Sequence, residues 1–462
     1  MAILGGIMVP HPPLIVPAVG KGEEHIVDET IRSYEEAAEF VAALQPETIV
    51  LSTPHSILYA DYFHISPGMG ATGSFAQFRA PEEKFNADYD TDFVTALCSL
   101  ADERDFPAGT EGERNRNLDH GTMVPLYFIN KVYPSYRLVR IGLSGLSHAD
   151  HLRFGQMIAQ VAKELDRRVV YVASGDLSHR LQPDGPYGFD SHGSVYDDRI
   201  MDVMGRAAFD ELMDFESDLC EKAAECGHRS FCMMAGALDG LALETNRLSH
   251  QDITGVGYGI CTYRVTGEDA ARRMLAKWEE RKAAERKKQR EAEDAYVRLA
   301  RQSLTAYVTK GEQISLPADL PEEMLKQQAG AFVSLHKEGQ LRGCIGTIGP
   351  VQENVALEII ENAISASTRD PRFSPVRPEE VDALEISVDV LGETEEIASP
   401  DELDVKRYGV IVTKGRKRGL LLPNLDGVDT VEEQLSIAKR KAGLSGDEEG
   451  CTLERFEVIR HH

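Results

Sequence analysis

The strongest constraint on this chain is a set of short, continuously apolar runs rich in β-branched residues, spaced by longer stretches of helical period. Ile3–Val9, Thr48–Thr53, 136–143 (YRLVRIGL) and 168–174 (RVVYVAS) read as strands, and 26–44 and 149–165 as helices. A strand that is apolar on both sides needs cover on both sides. Alternation with helices provides it in a largely parallel sheet sandwiched between helical layers. The expected fold class is therefore α/β, with a largely parallel central sheet and helices on both faces.

Residues 269–294 (DAARRMLAKWEERKAAERKKQREAED) break that pattern, with nine basic residues, seven acidic ones and no Gly or Pro. Opposite charges fall at helical spacing, Glu279 with Lys282 and Glu285 with Lys288. Such a run reads as a solvated helix between two domains. The boundaries expected are 1–266, a linker at 267–293, and 294–462. The last part mixes helices (295–309, 351–368) with short strands (331–335, 385–390, 410–413), the pattern of a smaller α+β domain.

With 50 Lys+Arg against 76 Asp+Glu in 462 residues, the formal net charge is −26. An acidic surface repels phosphate backbones, so a nucleic-acid partner is not expected. No apolar run approaches the ~20 residues of a membrane span, and the N-terminus lacks the basic start of a secretory leader. Seven cysteines, none in a CxxC pair, argue against a disulfide framework or a zinc ribbon. A cytoplasmic, homo-oligomeric protein is expected.

The chemistry collects at strand ends. His11 follows the first strand in PHPP, His55 follows the second in TPH, and His179 follows the 168–174 strand in GDLSH. In open α/β sheets the carboxyl edge of the strands is where ligands bind. His120, in NLDHGT, lies in a loop that enters the apolar helix MVPLYFIN. Histidines with few thiolates suit a first-row divalent ion, and two His plus one carboxylate is the arrangement of non-haem Fe(II) oxygenases. Glu225 in AECGHR is an available carboxylate, its neighbour Cys226 a softer alternative. Cys220 and Cys232 read as buried small hydrophobes.

VPHPPL, TPH, LDHGTMVPL, SGDLSH with GPYGFD, and ECGHRSF occur here in the order found in the class III extradiol ring-opening dioxygenase superfamily. Residues 1–265 resemble its Memo-like branch. That resemblance implies a mononuclear Fe(II) held by His11, His55 and a third ligand near Glu225, either Glu225 or Cys226. It also implies an acid–base role for His179, a substrate- or oxygen-orienting role for His120, and a small aromatic diol or related phenol as substrate.

The C-terminal strings LRGCIGT, STRDPRFSPV, GVIVTKGRKRGLLLPNL and AKRKAGL resemble the AMMECR family. Its fusion to a Memo-like domain belongs to the AmmeMemoRadiSam system, which implies a radical-SAM partner. In LRGCIGT, read as a loop, two glycines flank Cys344, which lets backbone approach a ligand and leaves the thiol accessible. Arg342, Asp370 and Arg372 are candidates to line a cleft around it. The alternative is a buried Cys344 beside an Arg342–Asp370 ion pair. The expected activity is an extradiol-type oxidoreductase; a non-catalytic iron-binding accessory factor for the radical-SAM partner is the alternative, and a metal-free scaffold a third.

Overall fold

A computed structural model describes residues 2–113, 116–337, 340–425 and 427–462. The chain divides into two compact units, Met1–Glu280 and Arg281–His462. In the first, β1 (Ile3–Val9), β2 (Thr48–Thr53), β3 (Arg137–Gly142), β4 (Val169–Ser174), β5 (Leu241–Gln251) and β6 (Tyr258–Glu268) form one sheet in the order β3-β2-β4-β1-β6-β5. The four apolar runs are the four mutually parallel strands. The antiparallel pair β5–β6 extends the sheet beside β1. It escapes a search for continuous apolar runs because β5 is a largely polar edge strand.

Side-chain alternation divides the core. Ile7, Val9, Ile49, Leu51, Val170 and Val172 pack with helices Asp28–Leu44 and His120–Val132. Met8, Val50, Val139, Tyr171 and Ala173 pack on the other face, with helices Thr91–Glu103, His148–Glu164, Ser191–Arg206 and His228–Ala237. Helices 148–164 and 228–237 come together at two glycines: a Cβ on Gly155 would strike the Met233 carbonyl, and one on Gly236 the Leu152 carbonyl. This contact holds helix 228–237 against the sheet, and Ser230 Oγ reaches within 2.6 Å of Ser52 Oγ near the end of β2.

The charged segment forms helix Met274–Ala292, after a short 3-10 turn at Ala270–Arg272. It is not solvated along its whole length. Met274, Leu275 and Trp278 are buried in the first unit's core, and Trp278 Nε1 donates to Asp214 Oδ1 at 3.3 Å. Glu279 pairs with Arg153 at 2.8 Å, and Lys282 with Glu285 at 3.0 Å. No helix among the described residues is long and apolar enough to cross a membrane.

The second unit has two antiparallel sheets. One runs in the order Gln340–Gly346, Ala331–Lys337, Leu384–Leu391, Val458–His461 and packs helices Ala295–Lys310 and Val355–Thr368. In the other, Gly409–Lys414 lies between Lys417–Leu421 and Thr452–Phe456, with helix Val431–Lys441 against it. LRGCIGT is thus strand rather than loop. Its glycines serve packing: a Cβ on Gly343 would strike the Ala366 carbonyl, and one on Gly346 the Phe332 ring.

In an exposed helix Gly→Ala adds about 1 kcal/mol of stability. Gly155→Ala should instead cost about 1–3 kcal/mol, because the methyl overpacks a backbone contact. Denaturant unfolding of the full chain measures the difference, and an unchanged or higher midpoint would show that the contact can relax.

Candidate metal centre

Three adjacent parallel strands, β2, β4 and β1, deliver their carboxyl ends side by side. The Tyr34 hydroxyl donates to the Pro10 carbonyl at 2.9 Å and so holds the turn before His11. The His11 amide donates to Asp176 Oδ1 at 2.7 Å, and His11 Nδ1 lies 3.0 Å from Ser174 Oγ. Ser174 Oγ donates its only proton to the Gly121 carbonyl at 2.6 Å. It therefore accepts from His11 Nδ1–H, which leaves the Nε2 lone pair of His11 free.

That Nε2 is 2.9 Å from His55 Nε2. Asp119 organises the His55 side. It accepts from Thr53 Oγ1 at 2.7 Å and caps helix His120–Val132 through the Thr122 amide at 3.0 Å. His120 is the first residue of that helix, its ring centroid 4.0 Å from that of His55 and 5.5 Å from that of His11. Gly121 makes this possible, because a Cβ there would meet Thr53 Oγ1 and His55 Cδ2.

The third donor is Cys226. Gly175 and Gly227 pass in backbone contact too close for a Cβ on Gly175. The Asp176 amide then donates to Cys226 Sγ at 3.3 Å, and that sulfur lies 3.7 Å from His11 Nε2. Donor atoms of His11, His55 and Cys226 lie within 4.8 Å of one another, as do those of Asp176, His179 and Cys226. Glu225, the carboxylate named first from the sequence, is turned away. Its Oε2 accepts from the His228 amide at 2.6 Å at the start of helix 228–237. Of these two neighbours, which follow a left-handed residue at Ala224 (φ 53°), one caps a helix and the other enters the cluster.

The electrostatics favour neutral donors. Burial, then the neighbouring imidazoles of His55, His120 and His179, hold His11 well below its ordinary range. His55 is lowered to about 4 by burial and by His120, and burial lowers His120 and His179 as well. The Cys226 thiol is pushed well up, first by burial and then by Asp176 and Glu225. Burial raises Asp176 to about 7. The sequence reading missed Asp176 as a site residue, although an acid two places past a strand end was a usable signal. Nothing in the sequence marked Ser174.

His55 and His120 open onto a cleft of about 1490 Å³ whose walls include Ser74, Gln77, Lys84, Asn86, Asn117 and Arg140. Arg140 is buried and committed: it pairs with Glu113 and donates to Ser66 Oγ at 2.7 Å and to the Asn117 carbonyl at 2.9 Å. His179 stands edge-on to Tyr187 with ring centroids 5.1 Å apart. A second group, His148, His228 and Cys232, also places donor atoms together. There His228 Nε2 donates to the Leu212 carbonyl at 2.9 Å and Nδ1 accepts from Tyr196 at 3.2 Å, so both nitrogens are engaged. Cys220 and Cys232 are buried, as small hydrophobes.

In the second unit Arg342 pairs with Glu380 at 2.9 Å, not with Asp370, and Asp370 pairs with Arg372 at 2.7 Å. Cys344 is half-buried rather than fully buried, its amide donating to Asp370 Oδ2 at 2.9 Å.

Residues 5–261 match the family described as the catalytic LigB subunit of aromatic ring-opening dioxygenase, and residues 297–461 match AMMECR1. Protein CA_C1420 of Clostridium acetobutylicum is 42% identical over 100% of this chain and 99% of its own length. A protein of Thermotoga maritima is 52% identical over 37% of this chain and 98% of its own. The crystal structure of the uncharacterized protein PH0010 from Pyrococcus horikoshii shares 36% identity, covering 36% of this chain and 88% of that one, at a TM-score of 0.34. By the two family matches the chain belongs to the LigB family of aromatic ring-opening dioxygenase subunits through its first unit, and carries an AMMECR1 domain as its second.

Proposed function

We propose that the first unit is a non-haem Fe(II)-dependent oxidoreductase of the extradiol ring-opening type, acting on an aromatic diol or related phenol. The carrying observation is the convergence of His11 Nε2, His55 Nε2 and Cys226 Sγ at the carboxyl edge of the sheet, beside a cleft roomy enough for a single-ring substrate. The donor set fits the ion: two neutral imidazoles and a thiol that becomes an anionic ligand on losing its proton. Ferrous iron bound there would supply the redox chemistry between O2 and a chelated phenolate. His179, neutral and beside Asp176 and Cys226, accepts the phenolic proton on its ring. His120, against His55 at the cleft wall, hydrogen-bonds oxygen as charge develops on it.

A second reading rests on Cys226 itself. A thiolate where ring-opening enzymes use a carboxylate softens the centre and shifts its redox chemistry. This favours an iron-binding accessory or modification factor that works with a radical-SAM partner and turns over no catechol. Oxygen uptake by iron-loaded protein over a panel of catechols separates the two. Uptake with ring-opened product supports the enzyme; full iron occupancy with no uptake supports the accessory factor.

Three outcomes test the ligand set. Cys226→Ala and His11→Ala should each abolish stoichiometric iron in the purified protein, whereas Glu225→Gln should keep it, since a glutamine oxygen still caps His228. Loss in Glu225→Gln with retention in Cys226→Ala would exchange the two assignments. Because the imidazoles are already neutral and only Cys226 must lose a proton, iron affinity should rise about tenfold per pH unit between pH 6 and 8. A flat profile in competition titrations would remove the thiolate from the ligand set. His179→Gln should retain iron yet lower kcat by about 10²–10⁴. An unchanged kcat in steady-state oxygen uptake would take the acid–base role from His179.

A further inference from the structure

The triad of His11, His55 and Cys226 leaves one carboxylate oxygen at the sheet edge unexplained. Asp176 follows β4 with its side chain 9% exposed. Its Oδ1 accepts from the His11 amide at 2.7 Å. Among the described residues no hydrogen-bond donor reaches its Oδ2, and no Lys or Arg pairs with it. That oxygen lies 3.8 Å from His11 Nε2. With Nδ1–H committed to Ser174, Nε2 has a lone pair and cannot donate. Two lone pairs thus face each other in a buried place, a contact that a cation relieves.

Two chain segments bring further donors to this oxygen. The Leu177 amide donates to the Gly257 carbonyl at 2.9 Å, and the Gly257 amide returns a bond to the Ser178 carbonyl at 2.8 Å. The His179 amide and Ser178 Oγ both donate to the Ala223 carbonyl, at 3.0 and 2.9 Å. The loop that carries His179 is thereby tied to the turn that carries Cys226. The Asp176 amide closes the arrangement by donating to Cys226 Sγ at 3.3 Å. Five donors result, grouped as two triads that share the sulfur: His11, His55 and Cys226, and Asp176, His179 and Cys226. An ion with bonds of about 2.0–2.3 Å holds ligand atoms no more than about 4.6 Å apart. Within each triad the donor atoms lie within 4.8 Å of one another, so each is the size of one coordination shell.

We propose that Asp176, His179 and Cys226 form a second metal position, which takes a borderline divalent cation such as zinc, with the Cys226 thiolate bridging to the ion held by His11 and His55. Carboxylate oxygen, imidazole nitrogen and thiolate sulfur are the three donor types that zinc accepts, and three protein ligands leave its fourth position open. The second position stands whether or not the first ion opens rings. One consequence rests on the reading of His179 as acceptor of a phenolic proton. A metal on one ring nitrogen and a proton on the other leave the imidazole no lone pair, so the two-ion state cannot accept that proton.

The test titrates zinc alone into the metal-free full chain and counts bound ions by equilibrium dialysis with elemental analysis. No turnover is needed, so the count decides the proposal even if no catechol is ever consumed. The parent chain should bind about two zinc ions that depend on these five residues. Asp176→Asn and His179→Gln should each lose one and keep the ion of His11 and His55. His11→Ala should lose the other one, and Cys226→Ala should lose both, because the sulfur is shared. Asparagine keeps an oxygen to accept from the His11 amide, and retention of one ion shows that the variant holds its fold. Asp176→Asn and His179→Gln chains that bind as much zinc as the parent overturn the proposal. So does a parent chain whose specific zinc is lost entirely in His11→Ala.

Discussion

One hydroxyl proton orders the candidate centre. Ser174 sits at the end of a strand with a parallel neighbour on each side, and its proton goes to the Gly121 carbonyl. With that proton committed, the oxygen has only lone pairs to offer His11, whose Nδ1 must then be the protonated nitrogen. The other nitrogen is thereby turned, lone pair outward, toward His55 and Cys226. Strand β1, strand β4 and the start of helix His120–Val132 are all parties to this one choice of tautomer. Asp119 does the corresponding work on the far side by joining Thr53 to Thr122.

Around that choice the protein keeps its own charges away. The imidazoles are neutral because they are buried together, and the thiol is neutral because it is buried beside carboxylates. The strong cation on the cleft wall, Arg140, is locked by Glu113. What is left at the sheet edge is a group of lone-pair donors to which no Lys or Arg among the described residues is paired, which is the condition for drawing a metal ion out of water. Over the whole chain the excess of 76 acidic over 50 basic residues adds a field of the same sign.

Much of this was legible in the sequence because it rests on local rules. Continuous apolar runs identify parallel strands, and a histidine two residues past such a run lies at the sheet's carboxyl edge whatever the rest of the chain does. Three kinds of feature were not legible. Polar edge strands such as β5 lack the apolar signature. The choice between Glu225 and Cys226 depends on which of two adjacent side chains faces the histidines, through contacts with the His228 and Asp176 amides that composition does not reveal. Ser174 and Asp119 act through partners 53 and 66 residues away, well beyond the reach of spacing arguments. The glycines of LRGCIGT show the opposite error: a pattern that read as room for a ligand is occupied by a helix carbonyl and a phenyl ring.

The buried first turns of helix Met274–Ala292 have a practical side. Trp278, the chain's single tryptophan, is locked into the core of the first unit although it belongs to the segment that leads out of it. Indole fluorescence from this protein therefore has one origin. It reports the docking of that helix together with the integrity of the LigB-family unit, and loosening confined to the AMMECR1 domain leaves no residue of that kind to report it. Signals from the two halves of the molecule come separated by the sequence itself.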